Sequence, residues 1–253
     1  MHSIVFHLIL LAYLFAALFF WLHLSLRQRP LWRAAQGLVA AGVLLHSGWL
    51  ALSVVRQGTL PPLSLLSWAI AVAYVLSWWR YRIEALGSFV VPLAFLAAAV
   101  PAATPEPWTP VFQQLWLSMH VFLAILGYAA LSLAFGAGLM YLLQERQLKS
   151  RRPGQLSERL PSLTLLDELN ARALRIGFPL LTQGIITGSV WAKHLHGSYL
   201  YWSLKSLPLL LAWLLYALLL GGRRRLGWQG RKAASAAVGG FPIVLASYFV
   251  HTA

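Results

Sequence analysis

Residues 116–143 read WLSMHVFLAILGYAALSLAFGAGLMYLL, and QERQLKSRR follows at 144–152. The first stretch has no charged side chain and exceeds the ~20 residues that a helix needs to cross a hydrocarbon layer ~30 Å thick at ~1.5 Å rise per residue. The second stretch sets arginine and lysine at its end, as at a membrane surface. Working outward, apolar windows recur at 3–26, 35–55, 63–79, 88–103, 177–192, 206–222 and 234–250. With the opening stretch they predict eight transmembrane helices. The composition agrees: the 253 residues are 59% hydrophobic and 10% charged, with mean hydropathy +0.69, more apolar surface than a soluble core of this length hides. The expected fold is therefore all-α, a polytopic membrane protein forming a single integral membrane domain over residues 1–253. It shows no internal repeat and no low-complexity tract. The windows at 88–103 and 177–192 are short and carry Pro or Gly, which marks them as candidates for tilted, broken or partly re-entrant segments. The first apolar run lacks the basic flank and small-residue cleavage site of a signal peptide, so it reads as a retained span.

The formal charge of +14 is explained by where the cations fall. Of the 20 Lys and Arg residues, all but Arg56, Lys193 and Lys205 lie in 27–34, 80–87, 144–176 and 223–233. Those are alternate loops, and positively charged loops stay on the inner side. Both termini and the tryptophan-rich loop 191–205 are then expected outside, in a multi-pass protein of the inner (plasma) membrane. The basic loops favour anionic inner-leaflet lipid as a partner, and nucleic acid is not expected. Within 144–176, Leu163, Leu166 and Leu169 recur at helical spacing, which predicts a short interfacial helix. The chain has no cysteine, which removes disulfides, thiolate metal sites, a cysteine nucleophile and covalent haem attachment through CxxCH. Five of the six acidic residues fall on the inner side, leaving only Glu106 outside. No Ser/His/Asp arrangement, phosphate loop or carboxylate pair can be assembled, so an enzyme mechanism is not expected.

The same topology sorts the histidines. His120 stands near the outer start of the fifth span, His194 and His196 lie in the outer loop, and His251 lies at the outer end of the eighth. A neutral imidazole offers one nitrogen to a metal while the other is oriented by an acceptor, and two such ligands suffice for a porphyrin iron. Trp191, Tyr199 and Trp202 offer flat faces for a macrocycle, and Lys205 a charge for a propionate. An aromatic belt at the membrane interface is the alternative reading of the same residues. Zinc has weaker support, since HLH at 194–196 is not a tight ligand pattern. His46, at the middle of the second span, must find a polar partner and is expected to face the bundle interior.

The run WAKHLHGSYLYWSLK, 191–205, resembles the tryptophan-rich segment of the cytochrome c assembly proteins of the CcsA, ResC and CcmC group, close to W-A-x-x-x-W-G-x-Y-W-x-W-D-P-K-E. Trp191, Ala192, Gly197, Tyr199, Trp202 and Lys205 fall in register. LLHSGWLALSVVRQGTLPPLSLLSWAIAVAYVL, ALGSFVVPLAFL, MHVFLAILGYAALSLAFGAGLMYLL, LAWLLYALLLGGRRRLGWQGRKAA and GGFPIVLASYFVH are similar to successive spans of that family. The resemblance implies a haem-handling membrane protein in which His120 and His251 hold haem iron beside the tryptophan-rich surface, together with haem and other cytochrome c maturation proteins as partners. His46, His194 and His196 are further candidates for cofactor contact. The family's Trp-Asp-Pro-Lys-Glu is here Trp202, Ser203, Leu204, Lys205 and Ser206, and a family histidine at the inner end of the penultimate helix aligns with Gly221. This degenerate pattern is most similar to the eight-helix HemX-like and YpjD-like branch. Two other functions stay open on the sequence: a membrane accessory or scaffold protein without haem chemistry, and a small-molecule or haem transporter.

Overall fold

The computed structural model describes residues 2–58, 60–103, 115–150, 154, 156–197 and 207–252; the side chains of 2, 3, 57, 101–103, 195, 196 and 248–252 fall outside that description. The described residues form eight helices and no strand: α1 His2–Leu26, α2 Arg29–Gln57, α3 Pro62–Tyr81, α4 Leu86–Ala103, α5 Leu115–Lys149, α6 Leu163–His196, α7 Leu207–Arg225 and α8 Arg231–Thr252. The all-α polytopic reading holds. Among the described residues, five helices are long and apolar enough to cross a membrane, over Ile4–Leu26, Arg29–Arg56, Pro62–Tyr81, Leu115–Lys149 and Leu207–Arg225, and Leu86–Val100 is a shorter apolar helix.

Local chemistry sets several helix ends. Pro30 and Pro62 stand in the first turns of α2 and α3, where a missing N–H breaks no ladder bond. Gly58 ends α2 in the left-handed region at φ 64°, returning its N–H to Val54 O. Arg27 and Arg82 do the same for α1 and α3 at φ 56° and 55°, although both carry a Cβ. Each is held: Arg27 pairs with Glu158 at 3.0 Å, and the Arg82 guanidinium lies 4.6 Å over the Trp78 ring.

The helices fall into two compact units, 1–113 with 154–161 and 114–153 with 162–253. In the first, α1 packs on α2 and α4, and α3 on α4. Tyr13, Phe20, Leu66, Ile70, Tyr74 and Leu86 are fully buried in it. Polar side chains tie its helices together, as expected where lipid gives no apolar driving force between them. Gln36 Nε2 donates to Tyr74 OH at 2.8 Å, Ser67 Oγ to Ala94 O at 2.7 Å, Trp68 Nε1 to Ser47 Oγ at 2.8 Å and Ser88 Oγ to Phe20 O at 3.1 Å.

In the second unit α5 packs most extensively on α6, then on α8, and α7 packs on α8. Close approach depends on glycine. A Cβ on Gly127 would lie 3.0 Å from Leu181 N, and one on Gly138 would lie 3.1 Å from Ala234 O. Two expectations are corrected in this unit and the first. The interfacial helix expected within 144–176 on the spacing of Leu163, Leu166 and Leu169 and the short span at 177–192 are one continuous helix, α6, which runs through Pro179. Leu166 and Leu169 are buried rather than laid on a membrane surface, in a helix that packs chiefly on α5. Likewise α4 is unbroken across Pro92.

Candidate functional site

His120 lies in the second turn of α5 and faces α6. On α6, Gly184 and Gly188 stand one turn apart and offer backbone without Cβ. The imidazole fills the space this leaves: a Cβ on Gly188 would sit 2.6 Å from His120 Nδ1. Nδ1 lies 2.7 Å from Gly184 O. A carbonyl only accepts, so Nδ1 carries the proton and the neutral ring has its lone pair on Nε2. Thr187 Oγ1 lies 2.8 Å from Gln183 O and 3.0 Å from Gly184 O, so its single hydroxyl proton is shared between the two carbonyls.

Trp191 is half-buried and continues the face of α6 set by Gly184 and Gly188, at the i, i+4, i+7 spacing. His194, one turn further, is exposed, and α6 ends at Gly197 with φ 72°. His196 belongs to α6 by its backbone, but its side chain lies outside the described residues, as do Tyr199, Trp202 and Lys205 entirely.

His251 is in the last turn of α8, its side chain likewise outside the description. The direction of α8 still places its backbone. Val238, close to Gly138, Phe241, whose ring centre is 5.1 Å from that of Phe135, and Ser247, whose Oγ is 3.3 Å from Tyr128 OH, pair with progressively earlier residues of α5. The two helices are antiparallel. His120 is two turns beyond Tyr128 and His251 one turn beyond Ser247, so both backbone positions lie at the same end of this unit.

His46 belongs to the first unit and is fully buried. Its Nε2 is 2.8 Å from Ser64 Oγ and its Nδ1 3.3 Å from Tyr13 OH, with Phe6 and Trp49 edge-on to the ring. The expected interior partner is thus a pair of hydroxyls. Among the described residues no group of three or more His, Asp or Glu side chains gathers to hold a metal ion.

Two features escaped the sequence reading. The Gly184–Gly188 seat is signalled only by small-residue spacing in GIITG. The other lies at the opposite end of the second unit, where Arg223 of α7 donates to both oxygens of Asp167 at 3.2 and 2.8 Å and to Asn170 Oδ1 at 2.9 Å. Gly230 N donates to Asp167 Oδ1 at 3.0 Å, and Asn170 Nδ2 to Ala134 O at 2.7 Å. One partly buried cluster thereby joins α5, α6 and α7 to the residue that precedes α8. No spacing in the sequence links its members.

A family model described as Cytochrome C assembly protein matches residues 2–252. The chain belongs to the cytochrome c assembly protein family. Among its relatives is the cytochrome c biogenesis protein CcsA of Mesostigma viride, 32% identical over 213 residues, covering 74% of this chain and 70% of the relative. The protein of the same name from Synechococcus sp. (strain CC9902) is 32% identical over 245 residues, covering 83% and 81%. That from Chlamydomonas reinhardtii is 33% identical over 196 residues, and there the match spans 54% of the relative's length. For haem, the family's implied group, the donor set at His120 is suitable: an imidazole whose Nδ1–H is tied to a backbone carbonyl is the arrangement that presents Nε2 to iron.

Proposed function

We propose that this protein serves cytochrome c biogenesis by holding haem as cargo at the outer face of the inner (plasma) membrane. His120 supplies one axial nitrogen and His251 the other. Trp191, Tyr199 and Trp202 form the surface against which the macrocycle lies, Lys205 pairs with a propionate, and His194 and His196 flank it. Other cytochrome c maturation proteins receive the cargo, and the two helical units work as one integral membrane domain with both termini outside. The observation that supports this reading most is the seat of His120, in which Gly184 O fixes the ring tautomer and Gly188 leaves room for the ring.

The test is an oxidised and reduced absorption spectrum of protein purified in mild detergent from haem-replete cells, with haem per protein measured as pyridine haemochrome. A Soret band is expected, and His120→Ala or His251→Ala should lower it. Gly188→Val, which pushes the ring from its seat without touching the ligand itself, should cost about tenfold or more in haem affinity, as outer-shell changes commonly do. A wild-type spectrum in the His120→Ala, His251→Ala double variant overturns the ligand assignment. Protein that stays colourless after haem is added favours the accessory role, for which the missing carboxylates at Ser203 and Ser206 and the glycine at 221 speak.

A further inference from the structure

The end of α5 and the start of α8 line an open cleft of about 620 Å³ within the second unit. From α5 come Leu142, Glu145, Arg146 and Lys149, which share one helix face, and from α8 come Arg231 and Ser235, one turn apart. Three cations thus face one carboxylate. Glu145 divides itself between Lys149, at 2.7 Å, and Arg231, at 3.8 Å, and Arg146 has no ion pair among the described residues. The electrostatics of α8 add to the imbalance. It opens with Arg231 and Lys232 and has no acidic residue in its first turn, where the helix dipole already disfavours cations. The nearby Asp167 is committed to Arg223 and Gly230.

The cleft also sits where hydrocarbon gives way to water. The apolar run of α5 ends at Leu143, Leu142 lines the cleft, and Leu148 is exposed beside it. We propose that this cleft is a specific site for the phosphodiester of an anionic phospholipid, with Arg146, Lys149 and Arg231 on the phosphate oxygens, Ser235 on the glycerol and Leu142 against the first acyl carbons. The apolar wall favours a lipid over a free phosphate. None of these residues belongs to the haem reading, and the site holds whichever leaflet it faces.

Native mass spectrometry of the full chain, released from detergent with added phosphatidylglycerol or phosphatidylcholine, tests it. Phosphatidylglycerol should be retained in preference, and Lys149→Gln and Arg231→Gln should each weaken that preference about fivefold. Ser235→Asp, which sets a second carboxylate among the three cations at an exposed position, should abolish it. Arg29→Gln, in the other unit, should leave it unchanged. Equal retention of the two lipids, or unchanged retention in the Lys149, Arg231 and Ser235 variants, overturns the site. An equal loss in Arg29→Gln overturns it in favour of diffuse surface charge. Displacement by glycerol phosphate at the concentration of the lipid overturns the lipid assignment in favour of a free phosphate.

Discussion

At the scale of single residues, His46 and His120 show how one side chain is put to two uses. Both sit within apolar helices, where an unpaired imidazole is costly. His46 has a hydroxyl on each ring nitrogen, from Tyr13 on α1 and Ser64 on α3, so it stitches three helices together. His120 spends one nitrogen on the Gly184 carbonyl, which fixes its tautomer and orientation, as the proposed haem ligand requires. The sequence made clear that a mid-span histidine needs a partner, but Tyr13 and Ser64 lie 33 and 18 residues away, with no spacing to reveal them. Ser64→Ala should leave the buried Nε2 unsatisfied at a cost of about 1–3 kcal/mol. The expected outcome is a lower unfolding midpoint in detergent with an unchanged haem spectrum; loss of haem without loss of stability would instead assign His46 to the cargo.

At the scale of elements, α6 is the helix whose sequence was hardest to read. Its start carries Asp167, Glu168, Arg172 and Arg175 among leucines, the stretch from Gly177 to Ala192 is uncharged and contains Pro179, and the change of character reads as two pieces. Packing overrides it. Leu166 and Leu169 are buried, Gly184 admits the α5 backbone at Ala124 while Gly177 and Gly188 make room for the side chains of Leu131 and His120, and Asp167 anchors α7 and the residue before α8. The Asp167–Arg223 pair is partly buried, with side chains 21% and 11% exposed. Removing one partner leaves a charge without its counterion, so Arg223→Leu or Asp167→Leu should each cost about 2–4 kcal/mol. The double variant should cost less than the sum of the two. Thermal unfolding of the three proteins measures this coupling, and simple additivity would show that the two side chains do not act as a pair.

At the scale of the whole molecule, the placement of charge governs insertion. Because the chain has no cysteine, single introduced cysteines report sidedness on a clean background. Ser203→Cys and Thr252→Cys should react with a membrane-impermeant maleimide added to intact cells, and Ser150→Cys and Gln229→Cys only after permeabilisation; the opposite pattern would invert the topology and move the haem reading to the inner face. Hydrophobicity integrated over ~20 residues, and cations counted by loop, are properties of the chain alone, so the sequence by itself determined the eight helices and the expected sidedness. Family membership was legible for the same reason, in the register of Trp191, Gly197, Tyr199, Trp202 and Lys205. The seat of His120, the double hydroxyl clasp on His46, the continuity of α6 and the Asp167–Arg223 cluster were decided by tertiary structure alone. Each depends on which faces of distant helices meet, and that is set by glycine-permitted close packing and by the need of every buried polar group for a partner.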